Sequence, residues 1–174
     1  MRSKIKLSII ILGIGLLSIF AYHVVKKSMH KEETIKGLQS IPDFTLKSID
    51  NMVYTNKDIE FGKATVFIYF NTDCDFCYHE IMSIKDLKEE IKDISLVYVS
   101  NEPQEIISTF ADDAEIRSMN NIIFLQDSTL SFASKFDVNI IPYTLIYDKN
   151  RKLIKRIKGQ IKAETILKLL RNEE

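Results

Sequence analysis

Thr65-Val66-Phe67-Ile68-Tyr69-Phe70-Asn71-Thr72-Asp73-Cys74-Asp75-Phe76-Cys77 decides how the rest of the chain is read. Its first six residues are an unbroken apolar, β-branched and aromatic run, the signature of a buried central strand. After it, from Tyr78, apolar residues recur at Ile81, Ile84, Leu87 and Ile91, a three-to-four spacing that predicts one buried helix face. Cys74 and Cys77, the only cysteines in 174 residues, therefore fall where a strand hands over to a helix. Backbone N–H groups without intrahelical partners point outward there and favour a thiolate. Two thiols this close can shut a small ring without moving the backbone far, which is the chemistry of a dithiol/disulfide couple. Cys74, nearer the helix end, is expected to be the exposed attacking sulfur, and Cys77, one turn in, the resolving one. The competing reading of a CxxC pair is half a zinc site. A structural zinc needs four nitrogen or sulfur ligands, and the chain supplies no third cysteine and only His23, His30 and His79. No metal and no other cofactor is expected.

The N-terminus opens with an uncharged apolar run from Leu7 to Val25. As a helix it would span roughly 28 Å, close to the hydrocarbon core of about 30 Å. Arg2, Lys4 and Lys6 precede it, and Lys26, Lys27 and Lys31 follow. A cleaved signal peptide would need small residues at −3 and −1 of the cut, and neither Ala21 nor Ser28 has one two places before it. The expectation is an uncleaved single-pass transmembrane anchor over residues 1–28, a polar tether over 29–40, and one domain from 41 to 174. Basic residues nearly balance across the span, so they barely set its orientation. Over the whole chain, 24 basic and 24 acidic residues cancel, which leaves no electrostatic case for nucleic acid.

Along the domain, Ile41-Pro42-Asp43-Phe44-Thr45-Leu46 predicts a short strand and Asp50-Asn51 a turn. Ile94 to Val99 predicts a second buried strand, closed by Ser100-Asn101-Glu102-Pro103 as the start of a helix with Ile106, Ile107 and Phe110 inward. Ile122 to Leu125 is a third apolar run, followed by an Asp127-Ser128 cap and a short helix through Phe132, Ala133 and Phe136. After Ile140-Ile141-Pro142 come strands at 143–147 and 152–158 around an Asp148-Lys149-Asn150-Arg151 turn. Gly159 then breaks the chain before a last helix with Ile161, Ile166, Leu169 and Leu170 inward. The alternation implies an α/β fold, a mixed central sheet flanked by helices on both faces.

This order resembles the thioredoxin fold, and more narrowly the membrane-anchored TlpA/ResA-like thiol-disulfide oxidoreductases of the bacterial envelope. The likeness runs over roughly 41–170: Pro42-Asp43-Phe44-Thr45-Leu46, Cys74-x-x-Cys77-x-x-Glu80, Ile122 to Asp127, Phe136-Asp137-Val138, Ile141-Pro142, the Asp148-Lys149-Asn150 turn and Gly159. It implies a redox-active Cys74–Cys77 disulfide, a Glu80 that handles the proton of the resolving thiol, and a cis Ile141–Pro142 bond whose backbone holds substrate. Client proteins with disulfides, a membrane electron donor and a catalytic domain outside the cytoplasmic membrane are implied with it. The chain departs from the family in having Asp73 where an aromatic is usual, Asp75-Phe76 as its dipeptide, and Met82 where proline is frequent. Thioredoxins proper keep a buried aspartate where Ile68 stands, so Glu80 is the remaining candidate base.

Electrostatics bear on direction. An exposed helix N-terminus favours a thiolate by about 0.3–1 kcal/mol, and a like charge at about 6 Å in water opposes it by about 0.7 kcal/mol. With Asp73 and Asp75 flanking Cys74 the two effects nearly cancel, which argues for a reductant or shuttle over a strong oxidase. Two other readings stand beside it. A peroxiredoxin-like thiol peroxidase also begins with Pro-Asp-Phe, but its attacking cysteine follows a threonine by three, and here position 71 is Asn with Thr72 one place off. A copper-binding envelope chaperone of the same fold would want a distant histidine, and none lies beyond His79. His79, four residues after Asp75, is expected to form an exposed ion pair with it.

Overall fold

A computed structural model of the protein describes residues 36–172, together with 15 and 17–22. The chain divides into two units, Met1–Gly37 and Leu38–Glu174. In the first, the described residues 17–22 are helical, with Leu17, Ile19, Phe20 and Tyr22 exposed. Among the described residues no helix is long and apolar enough to cross a membrane. The transmembrane span expected over Leu7 to Val25 lies largely outside them, as do His23 and His30.

The second unit runs β1 (Thr45–Ser48), β2 (Val53–Thr55), β3 (Thr65–Tyr69), α1 (Asp75–Asp86), β4 (Ser95–Ser100), α2 (Gln104–Asp113), β5 (Ile122–Gln126), α3 (Ser131–Lys135), β6 (Tyr143–Tyr147), β7 (Leu153–Lys158) and α4 (Ala163–Arg171). The strands form one sheet in the order β2-β1-β5-β4-β3-β6-β7. β3, β4 and β5 are parallel, and β6, β7, β1 and β2 are added antiparallel at the two sides. This is the thioredoxin-like α/β fold with a mixed sheet.

Every residue of β3 is buried because both faces of the sheet are covered. On one face Val66, Ile68, Leu96, Tyr98, Phe124 and Ile146 meet Cys77, Ile81 and Ile84 of α1, Ile107 and Phe110 of α2, and Ile166 of α4. On the other, Phe67, Tyr69, Val97, Val99, Leu125 and Leu145 meet Phe132 and Phe136, with Leu38, Ile41, Phe44 and Ile59 from the N-terminal segment. Each such side chain, fully buried, contributes about 1.5–3 kcal/mol. The second face thus has a single five-residue helix, and its packing is completed by loop residues and by the parallel stack of Phe132 on Phe136, 3.8 Å between centroids.

Several local expectations shift. α1 stops at Asp86, with Leu87 as its cap and Ile91 buried beyond the helix. Ile106 is exposed, and the inner face of α2 is Ile107, Phe110 and Ala111. Strand β2 has no counterpart in the sequence reading; it is an edge of three residues, none of them fully buried, and so carries no clean alternation. The N-cap of the short helix is Leu130, not Asp127-Ser128, but the Asp127 carboxylate still accepts from first-turn donors, Phe132 N at 3.0 Å and Ala133 N at 2.9 Å.

Candidate active site

The site is built at the C-terminal ends of the parallel strands. β3 ends at Tyr69, and Asn71-Thr72-Asp73 leads into α1, for which Cys74 is the N-cap with φ −97° and ψ 107°. Its Sγ accepts from Cys77 N at 3.3 Å, and its carbonyl accepts from the N–H groups of Cys77 and Tyr78, both at 3.0 Å. Both thiols are free. Cys74 is half-buried and Cys77 is 3% exposed, so the sequence order of an outer and an inner sulfur holds in space. Burial pushes the Cys77 thiol well up, and the Cys74 side chain and the charge of Glu80 push the same way.

Glu80 is fully buried beneath the pair rather than on the solvent face of α1. Thr144 Oγ1 donates to its Oε1 at 3.0 Å, and the Ile161 N–H donates to its Oε2 at 3.1 Å. Burial raises its pKa to about 7; the two hydrogen bonds oppose that rise but do not cancel it. Register explains the location. Thr144 of β6 lies opposite Ile68 of β3. A carboxylate on α1 is therefore held by the cross-strand neighbour of the apolar Ile68.

Ile141–Pro142 is cis. Tyr143 pairs with Tyr69, which places Pro142 beside Phe70 and the loop before Cys74. The Pro142 carbonyl accepts from Gly159 N at 2.9 Å. The Ile141 N–H and C=O make no backbone hydrogen bond among the described residues. Around the thiols Phe76, Tyr78 and Ile140 are exposed. Asp75 and His79 are exposed too, but the ion pair expected between them is not formed; the imidazole instead lies edge-on to Tyr78. No group of three or more His, Cys, Asp or Glu side chains placed to hold a metal occurs among the described residues.

Three contributors are absent from the sequence reading. Thr144 and the Ile161 N–H hold Glu80, as above. Glu102 holds the loop before Cys74: its carboxylate accepts from Thr72 N at 2.8 Å, Thr72 Oγ1 at 2.9 Å and Ser100 Oγ at 3.0 Å. One signal could have found Glu102. It follows β4 at its C-terminal end, and in a parallel sheet the adjacent strand's loop, here the one carrying Cys74, opens at that same end.

Comparison with known proteins places the family and the fold. The model of the AhpC/TSA family matches residues 38–158. No curated protein matches the chain in sequence. Among solved structures, DsbF of Mycobacterium tuberculosis superposes with a TM-score of 0.66 at 16% identity, over 79% of this chain and 97% of its own. Peroxidoxin BcpB of the same organism gives 0.67 at 19%, over 78% and 96%. StoA from Bacillus subtilis gives 0.59 at 17%, over 75% and 98%. At these identities the structures speak for the fold.

Proposed function

Because the chain belongs to the AhpC/TSA family and is a thioredoxin-fold redoxin, we propose that it works as a thiol-disulfide oxidoreductase that reduces or exchanges disulfides in client proteins. The observation that carries this reading is the asymmetry of the pair: an accessible Cys74 at a helix N-terminus, and a buried Cys77 above a buried carboxylate that titrates near neutrality. A general base is most useful when its pKa is close to the working pH.

In the first step the Cys74 thiolate attacks one sulfur of a client disulfide. A Cys74–client bond forms, the client S–S bond breaks, and the departing client thiolate takes the electron pair and a proton from solvent. In the second, Glu80 accepts the Cys77 proton and the Cys77 thiolate attacks Cys74 Sγ. The Cys74–Cys77 disulfide forms as the mixed disulfide breaks, and the second client sulfur leaves as a thiolate. The client gains two electrons and the pair loses two. A membrane electron donor returning them completes the cycle. The free backbone groups of Ile141, beside the thiols, support a client segment lying along that loop, and the exposed Phe76, Tyr78 and Ile140 offer it apolar surface.

The finer reading is a TlpA/ResA-like enzyme anchored in the cytoplasmic membrane through residues 7–25, its domain facing the periplasm or cell exterior. The apolar run and the exposed Leu17, Ile19 and Phe20 support it. Thiol labelling of intact cells with an impermeant reagent tests it: Cys74 is expected to label while a cytosolic control does not. Reduction of a model protein disulfide tests the activity. Peroxide consumption without disulfide exchange would favour the peroxidase reading instead, against which stands Asn71 where that site needs threonine.

A further inference from the structure

Tyr98 lies in the middle of β4, 1% exposed, and its hydroxyl makes no hydrogen bond among the described residues. Buried hydroxyls are nearly always paired, and an orphan one is costly enough to need an explanation. Its ring is well fixed, stacked on Phe124 at 5.1 Å and edge-on to Phe70 at 5.6 Å. Packing therefore accounts for the ring but not for the oxygen.

Register places Tyr98 close to the Glu80 site. Ile68 of β3 pairs with Thr144 on one side and Tyr98 on the other. Thr144, Ile68 and Tyr98 thus form one row across three adjacent strands, on the sheet face that α1 covers. Thr144 holds Glu80 from one end of that row, and Tyr98 closes the other end in the same buried cluster as Cys77. Burial first, and the neighbouring Glu80 and Cys77 after it, hold the Tyr98 hydroxyl well above its ordinary pKa, so that it stays a neutral donor. The remaining elements packed there bring apolar side chains: Ile107, Phe110 and Ala111 from α2, Ala163 and Ile166 from α4. The polar groups buried on this face are Cys77, Tyr98 and Glu80 with its two donors, Thr144 and the Ile161 N–H.

Resting on the exchange reading, we infer that Tyr98 is a positioning residue of the resolving step: its hydroxyl donates to the negative charge that appears on Glu80 or on the Cys77 sulfur when the proton moves between them. A neutral donor fixed by ring packing stabilises a transient anion without adding charge to a buried site.

Tyr98→Phe tests this, since it keeps the ring and removes one oxygen. Two readouts are used: the pH profile of mixed-disulfide resolution in single turnover, and the titration of the Glu80 carboxyl followed by infrared difference spectroscopy. Loss of a hydrogen bond to a charged group is expected to move both midpoints up by about one pH unit, slowing resolution about fivefold at pH 7 and about tenfold at pH 6 and below. Alkylation of Cys74 is expected to keep its rate. Profiles that superpose on wild type overturn the inference, and so does a variant that unfolds, because the hydroxyl then serves the fold. Failure of wild type itself to form mixed disulfides would overturn the exchange reading, while the infrared titration would still decide whether Tyr98 contacts Glu80.

Discussion

At the residue scale, Cys74 and Cys77 differ through one turn of helix and the burial that goes with it. Cys74 is within reach of solvent; Cys77 is covered, and its thiol is pushed up by desolvation before any charge acts on it. Cys74 is therefore expected to alkylate first. Cys77→Ser is expected to accumulate mixed disulfides with clients, because the sulfur that releases them is gone, and Cys74→Ser to accumulate few. Diagonal electrophoresis of trapped species checks this; equal trapping by both variants would reverse the roles. Glu80→Gln is a clean partner experiment. The amide oxygen can keep the Ile161 N–H, and the Thr144 hydroxyl can turn to accept from the new NH2 group. The site stays filled and satisfied but cannot take a proton. Resolution is expected to slow by roughly two orders of magnitude, the usual worth of a general base, with the first attack little changed. Stopped-flow kinetics of the two steps measures the split.

At the scale of elements, the chain announced its strands and helices wherever burial was strongest. β3, β4, β5 and α1 read directly from apolar runs and a three-to-four spacing, because each is covered on the side or sides the pattern implies. Strand β2, at the sheet edge, gave no such signal. Cys74, Cys77, Glu80 and Pro142 were visible as motif positions close in sequence or in pattern. Thr144, the Ile161 N–H, Glu102 and Tyr98 were not, because their roles come from pairings across 64, 81 and 30 residues for the first three, and from sheet register for Tyr98. Glu102 shows how such a residue works through another. It ties the end of β4 to the Asn71-Thr72-Asp73 loop, and so fixes the direction from which α1 and Cys74 start. Glu102→Ala leaves two Thr72 donors without their acceptor. It is expected to cost about 2 kcal/mol, the scale of hydrogen bonds to a charged group, and to slow Cys74 alkylation as the loop loosens. Denaturant unfolding and the alkylation rate, measured on the same sample, check both.

At the scale of the whole molecule, a proton acceptor set inside a covered sheet face makes function compete with stability. Glu80 is raised from 4.5 to about 7, with burial as the cause. In the unfolded chain this carboxyl loses its proton near its ordinary value; in the folded chain it keeps it until neutrality. Between those limits the folded state holds more protons than the unfolded one. Stability must then fall as pH rises through that window, and level off above it. The integrated loss from this one group is about 3 kcal/mol, a sizeable share of a typical total of about 5–15 kcal/mol. Asp58 and Glu115 are lowered by their partners Thr55 and Lys85, so their contributions have the opposite sign and lie below the ordinary carboxylate range. Both are exposed, and the two windows do not overlap. Cys77 adds nothing between pH about 5 and 7, because a thiol is neutral there in either state. The difference in unfolding free energy between wild type and Glu80→Gln, measured by denaturant titration at pH 5, 6, 7 and 8, isolates the carboxyl. Wild type is expected to lose stability against the variant across the lower part of that range and to run parallel to it by pH 8. A difference that stays flat would mean that Glu80 is already ionised at pH 5, so that burial does not lift it towards neutrality and the match of its pKa to the working pH is lost.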